Sequence, residues 1–367
     1  MRKALCSVAL VMLLAACGSE DGGGDDGGSP GPHDGLSPGG AIVLSPTNPN
    51  ASPKDEDPCI ILNEFGHFYM AWLSNRDGND EIYVMRSTEG EFWSSPNRVT
   101  TNADADWYPT LVRDSNRYHM LWMRQTATTR TVWYNSSPDG ITWLSANEQQ
   151  VTTGVSDDFV PHFLVIGGVF HVYFDSEMRS GDGTRGLFHV TSTGRDSIGV
   201  ATGWSAPSEI TALNHLTESD QFPFVAPRPT GGYLMSFIRH VGSATAINGY
   251  LDPTSDINWA TSPDGINWTY GGAVMAEDGA TDTIPALYTA GAEETFSFMR
   301  GISGQPYILE YDFSELANWP TGWNNVSLSN GVGGWSCRTT PTLKNNTYIR
   351  VWTGGADLRI YHEVFTR

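Results

Sequence analysis

The sequence predicts an all-β chain folded as a six-bladed β-propeller of four-stranded antiparallel blades, and two repeated patterns predict it. A proline inside an apolar run recurs at Pro58, Pro109, Pro161, Pro223, Pro285 and Pro341, with spacings of 51, 52, 62, 62 and 56 residues. After each comes a turn and an aromatic-rich run, such as Phe68-Tyr69-Met70-Ala71-Trp72 or Phe170-His171-Val172-Tyr173-Phe174. Repeats of roughly 50 residues made of short strands are the signature of propeller blades, which bury their faces against their neighbours. With 13 Trp, 14 Tyr and 15 Phe the chain has ample core material, and 40 Gly with 21 Pro supply its turns.

The N-terminus reads differently. Met1-Arg2-Lys3 is charged, and the apolar run Ala4 to Ala16 is too short to span a bilayer, as in a signal peptide. It ends in Leu14-Ala15-Ala16-Cys17, which resembles the lipobox of bacterial lipoproteins. The resemblance implies cleavage before Cys17 and a lipid on that cysteine. Gly18 to Gly40 is rich in Gly, Asp, Ser and Pro, and buries too little apolar surface to offset its ordering entropy. The expected organisation is a signal at 1–16, a lipidated cysteine and flexible tether at 17–40, and the propeller at 41–367. The expected place is the bacterial cell envelope, on the periplasmic or the outer side of the outer membrane.

The net charge of −20 excludes nucleic acid as a partner, because an acidic body repels phosphate backbones. The lipid, not charge, would hold the chain at a membrane, and a monomer is expected. No Gly-rich phosphate loop and no Gly-x-Ser-x-Gly elbow is present, so no cofactor is expected. His119 and His171 share one position of the second strand but lack a third ligand, so they read as core histidines and no metal is expected. Asp77-Gly78-Asn79-Asp80 reads as a turn.

The first blade should hold the Pro58 strand, Phe68–Trp72, Glu81–Met85 and an outer strand after Trp93. Later copies repeat it, with Trp143, Trp204, Trp268 and Trp323 late in blades two to five. The sixth unit lacks a fourth strand, and Ala41-Ile42-Val43-Leu44 lacks a blade, so the two should pair and close the ring. Cys59 and Cys337 lie near the inner strands of the first and last blades, but at different offsets from their prolines, which argues against a disulfide.

A turn motif recurs as Ser137-Pro138-Asp139-Gly140-Ile141-Thr142-Trp143 and Ser262-Pro263-Asp264-Gly265-Ile266-Asn267-Trp268, and more weakly at Ser87 to Trp93. Here the chain resembles the Asp-box repeat of the sialidase superfamily. The resemblance covers nearly all of 41–367 and implies the fold rather than an activity, since these boxes lie away from that superfamily's active site.

The chemistry should sit where first strands begin and second strands end. Acids precede five prolines: Asp57, Asp104 with Asp106, Asp157 with Asp158, Glu218 with Asp220, and Asp282. Arg124, Arg239 and Arg300 share one position at the end of second strands, where Ser74 and Ser176 stand in other blades, and Trp107 lies beside them. Two readings follow. Arginines, carboxylates and aromatic faces together suit a glycan. Equally, acids and arginines repeated in most blades suit ion pairs that hold crowded strands. The sialidase resemblance implies an arginine triad, for which the three arginines could serve, but Glu56-Asp57-Pro58 stands where that family has Arg-Ile-Pro. Asp57-Pro58-Cys59 also resembles the opening of family-43 glycoside hydrolases, which implies a general base at Asp57. Thr110 and Phe159 replace that family's other two carboxylates. The leading expectation is a module that binds glycan or protein at this face; the alternative is an exo-acting glycoside hydrolase.

Overall fold

The computed structural model describes residues 42–43, 48–50, 52–90, 92–114, 116–154, 156–177, 184–215, 217–241, 255–274, 281–290, 293–302, 305–312, 324–326, 334–336, 347–354 and 359–366. Contacts group the chain into Met1–Asp34 and Gly35–Arg367, and every described element lies in the second unit. Strand β1 is Ile42–Val43. The first sheet is β2 (Asp55–Leu62), β3 (Phe68–Ser74), β4 (Glu81–Ser87) and β5 (Asn97–Arg98). The second is β6 (Ala105–Asp114), β7 (Arg117–Gln125), β8 (Arg130–Ser137) and β9 (Gln149–Gln150). The third is β10 (Asp158–Ile166), β11 (Val169–Ser176), β12 (Gly186–Arg195), β13 (Ala201–Trp204) and β14 (Ser208–Glu209). The fourth is β15 (Glu218–Pro227), β16 (Tyr233–Val241), β17 (Ser255–Ser262) and β18 (Thr269–Ala273). The fifth is β19 (Thr281–Ala290), β20 (Glu293–Ile302), β21 (Gln305–Asp312) and β22 (Asn324–Val326). The last is β23 (Gly334–Ser336), β24 (Thr347–Gly354) and β25 (Arg359–Thr366), with β1 paired to β25.

Every pairing is antiparallel, and apart from β1 on β25 and β14 on β12 each strand pairs with its neighbour in the chain, as short connections require. One sheet departs from the expected four strands: in the third, β13 and β14 share the outer place on β12. Strands β2, β6, β10, β15 and β19 pack side by side in that order, so five sheets contribute their first strands to the interior. The apolar cores lie between successive sheets. Ala71, Ile82 and Val84 meet Met120, Trp122 and Trp143 in one cluster, and Leu121 and Val132 meet Val172 and Phe174 in the next. The last sheet packs on the first through Ile349, Val351 and Ile360 against Ile60, Phe68 and Met70. This is the arrangement of a β-propeller.

The Ser-Pro-Asp-Gly turns hold the outer hairpins. Asp139 Oδ1 accepts the amides of Ile141 and Thr142, at 2.9 and 2.7 Å, and Trp143 Nε1 donates to the Gly140 carbonyl at 3.1 Å. The second such turn repeats this at Asp264, Gly265 and Trp268. Gly140 has φ of 75° and sits where a Cβ would lie 2.7 Å from the Tyr69 ring of the preceding sheet. Gly140→Ala is therefore expected to lower the melting temperature through both backbone strain and the clash, by about 1–3 kcal/mol of stability. A thermal melt indistinguishable from wild type would show that the sheets can part at no cost.

Both expected core histidines are buried. His119 Nδ1 lies 2.8 Å from Tyr134 Oη, and His171 Nδ1 lies 3.1 Å from His189 Nε2. Burial pushes His119 down to about 3 and His189 down to about 4. The unfolded chain then binds protons first, so these groups remove stability as pH falls below the ordinary histidine value of about 6.5. Melting in acid should show that slope, and His119→Gln should flatten it. Cys59 is buried and its Sγ accepts the Leu111 amide at 3.4 Å, while Cys337, Trp323 and Pro341 lie outside the described residues.

Candidate functional site

Five first strands enter the structure in the same register. Asp55 faces Ser74, Asp106 faces Arg124, Asp158 faces Ser176, Asp220 faces Arg239 and Asp282 faces Arg300. The arginine and serine positions aligned in the sequence are thus structurally equivalent. Their acidic partner lies three residues before each proline, which corrects the first blade: Asp55, not Asp57, is its equivalent acid. In each case the ladder skips the proline, which has no N–H to give, together with the residue before it. That preceding residue is left-handed in four sheets, with φ of 52° at Asp57, 54° at Tyr108, 43° at Val160 and 55° at Phe222. A backbone form costing about 1–2 kcal/mol per L-residue recurs because the inner strand must bend there.

The three positions before the proline do different things. The first acid is tied down inside its own sheet. Asp106 accepts Arg124 Nε at 2.7 Å, Arg124 Nη2 at 3.1 Å and the Trp122 indole at 3.0 Å, while Glu148 takes a further bond from Arg124 at 3.0 Å. Asp220 accepts Arg239 Nε at 2.8 Å, and Arg239 Nη2 donates to the Leu213 carbonyl. Asp55 takes the Trp72 indole and Arg76, and Asp158 takes the Ser176 and Ser156 hydroxyls. Burial pushes the Asp158 carboxyl up, opposed by those hydroxyls.

The residue next to the proline fills the space between the inner strands. Tyr108 and Phe222, from the second and fourth sheets, meet edge to face at 6.2 Å. Val160 and Met123 join the same apolar cluster. Because those two sheets are not sequence neighbours, their contact shows that the inner edges converge. Of the residues two before the proline, Trp107 and Phe159 are partly buried and pack against this cluster, while Gln221 is buried. Phe159 is covered on its faces by Arg130 and Arg185, at 4.4 and 3.6 Å.

The first sheet breaks the apolar pattern. Where others place Tyr, Val and Phe it places Asp57, a carboxyl only 3% exposed. Beside it, burial and then the Asp57 charge push the Glu56 carboxyl up to about 7, against the pull of Lys54. Lys54 Nζ sits 3.4 Å from Glu56 and 2.9 Å from Asp80, and lies 4.6 Å over the Trp107 ring. Trp107 Nε1 donates to Asp80 Oδ2 at 2.9 Å. The β3–β4 turn thus fixes the second sheet's indole beside the first sheet's two carboxyls. A carboxyl held near neutrality can give a proton at neutral pH.

Of the nine binding residues expected from sequence, the structure brings Asp57 and Trp107 into this cluster. It places Arg124, Asp106, Arg239, Asp220 and Asp158 in intrasheet bonds. Asp282 and Arg300 face each other in register, with side chains outside the described residues. Arg124 is only 5% exposed, with two guanidinium nitrogens already on carboxylates. Sequence reasoning missed Lys54, Glu56 and Asp80; the one available signal was an acidic pair at a place where the other repeats are apolar. Among the described residues no group of three His, Cys, Asp or Glu is placed to hold a metal. A cleft of about 390 Å³, lined by Arg86, Asn97, Asp139 and Ile141 among others, lies at the other end of the sheets.

No family model and no curated protein matches the chain. Solved structures do match in fold. A protein of unknown function from Dyadobacter fermentans superposes with a TM-score of 0.65 at 11% identity, over 91% of this chain and 99% of its own. An α-L-arabinanase from Penicillium chrysogenum, solved with arabinobiose, gives 0.63 at 14% identity, over 90% and 98%. A thermostable family-43 glycoside hydrolase gives 0.50 at 13% identity, over 73% and 94%. The fold is that of propeller glycoside hydrolases.

Proposed function

We propose that this protein is a glycoside hydrolase acting on a neutral oligosaccharide at the mouth of the inner strands. The observation that carries it is the carboxyl pair of Glu56 and Asp57, set where three other sheets place Tyr108, Val160 and Phe222. In this reading Glu56 donates its proton to the leaving glycosidic oxygen, and Asp57 accepts a proton from the water that bonds to the anomeric carbon. Trp107 offers an apolar wall, and Lys54 with Asp80 holds it in place. A neutral sugar fits because Arg124 and Arg239, which a sugar carboxylate would need, are engaged by carboxylates of their own sheets. The arabinobiose bound by the Penicillium neighbour makes short pentose oligomers the first substrates to try.

A second reading, glycan binding without cleavage, keeps one observation of its own: the acids and arginines repeat from sheet to sheet, whereas a catalytic group is needed once. Around either reading we place a closed ring of six blades with sialidase-like Asp-box hairpins and β1 as its closing strand. A lipid on Cys17 would hold it to the cell envelope. The test is a panel of neutral pentose and hexose oligomers, with a sialylated oligomer as the acidic control. Release of sugar from a neutral member supports the hydrolase. Retention without release supports the binder, and neither would sink both.

A further inference from the structure

The two ends of the sheets differ in their apolar surface. Both carry acids, Asp80, Asp104, Asp157, Glu177 and Glu218 at the mouth end and Glu64, Glu89, Asp139 and Asp196 at the other. Well-exposed large apolar side chains collect at the other end. Phe65 (70% exposed) lies in the β2–β3 turn and Val169 (36%) at the β10–β11 turn. Phe92 (82%), Leu144 (57%), Ile198 (59%) and Ile266 (54%) lie between the third and fourth strands of their sheets. In an antiparallel meander those two kinds of turn fall at one end. The remaining such side chain among the described residues, Tyr270, lies within β18 and bonds Asn258.

The chain also enters at that end. Ile42 pairs with His362 and Val43 with Tyr361, so β1 runs towards the start of β25. As the third strand of its sheet, β25 starts at the mouth end and runs away from it. The chain before Ile42 therefore joins the sheet from the apolar end. By sequence that preceding chain is the Gly-rich tract of 18–40 behind Cys17.

We propose that this apolar end rests on a zwitterionic lipid bilayer, with Phe65, Phe92, Leu144, Ile198 and Ile266 entering its interface, so that the mouth faces away from the membrane. The proposal rests on the lipid-anchor reading given above. Apolar tips, not charge, make the contact, because a body of net charge −20 is repelled by anionic headgroups. A scatter of single exposed apolar residues needs no explanation, but their confinement to the end where the chain enters does.

The test compares the full lipidated chain with its Phe65→Ser, Phe92→Ser, Ile198→Ser variant on phosphatidylcholine vesicles, by hydrogen exchange. The reporters are two unaltered turns of the apolar end, 139–145 and 264–267, with the mouth turns 75–80 and 126–129 as reference. The wild type should exchange about tenfold more slowly than the variant at the reporters, with the reference turns equal in both. Both chains should pellet with the vesicles. Equal exchange at the reporters in two pelleting chains would overturn the docking alone. So would slowing that persists without vesicles and grows with protein concentration, which would mean a second copy covers the face. A chain that stays in the supernatant, with no lipid mass on its N-terminal peptide, would remove the anchor and the docking together.

Discussion

Glu56→Gln should lower turnover of a neutral oligosaccharide by roughly 10²- to 10⁴-fold, the usual loss when a general acid is removed. The amide keeps the size and most hydrogen-bonding capacity of the acid, so affinity for the sugar should change little. A variant with unchanged turnover would discard Glu56 as the donor. The pH dependence gives a sharper check. Burial and the Asp57 charge hold Glu56 at about 7, and Lys54 opposes them. Asp57→Asn removes a repelling charge and must move the Glu56 titration down; asparagine tolerates the left-handed backbone at φ of 52°, so the fold should survive. Lys54→Met removes an attracting charge and must move it up. The Glu56 carboxyl resonance reads both shifts even in an inactive variant, and shifts of the same sign would show that the local field is wrongly described. Glu56 also acts on stability with a sign opposite to the histidines. Its folded value is raised, so its contribution is present below about 4.3, the ordinary glutamate value, and is lost as pH rises through about 7.

The second large effect is on stability. Asp106→Ala should cost about 3–5 kcal/mol, because it strips a buried ion pair of one partner and leaves Arg124 with Glu148 alone. The Trp122 indole loses its acceptor in the same step. Replacing the pair together, as Asp106→Leu with Arg124→Met, should recover much of the loss, since well-packed apolar groups often replace buried ion pairs at little cost. Thermal melts of the single and double variants measure it. Sugar affinity per folded molecule should stay near wild type in both. If instead the single variant melts normally and loses binding, Asp106 and Arg124 belong to the ligand site rather than to the blade.

The sequence was most informative where the cause is local or repeated. Proline cannot donate to a ladder, and five of the six spaced prolines, Pro58, Pro109, Pro161, Pro223 and Pro285, fall where the first strands skip a pairing. Strand alternation then put Arg124, Arg239 and Arg300 in one register, as the pairings of β6 with β7, β15 with β16 and β19 with β20 show. The Ser-x-Asp-Gly turns were equally legible, because serine, aspartate and glycine act within a few residues of one another. What the acids do was not legible. Asp55 and Asp57 stand two residues apart in one acidic run. Only the bulge at the proline decides that Asp55 is bonded inside its sheet while Asp57 replaces the aromatic plug. The proton affinity of Glu56 depends on burial and on charges brought by Lys54 and Asp57. The wall beside it comes from another repeat, Trp107, held by a turn residue, Asp80. By itself the sequence determined the repeat, the strand pairing and the turns, because backbone chemistry acts over short separations. Tertiary structure alone decided which carboxyls bond the arginines of their own sheets and which lie together at the Glu56–Asp57 cluster, because desolvation and Coulomb forces act between residues that only the packed sheets bring together.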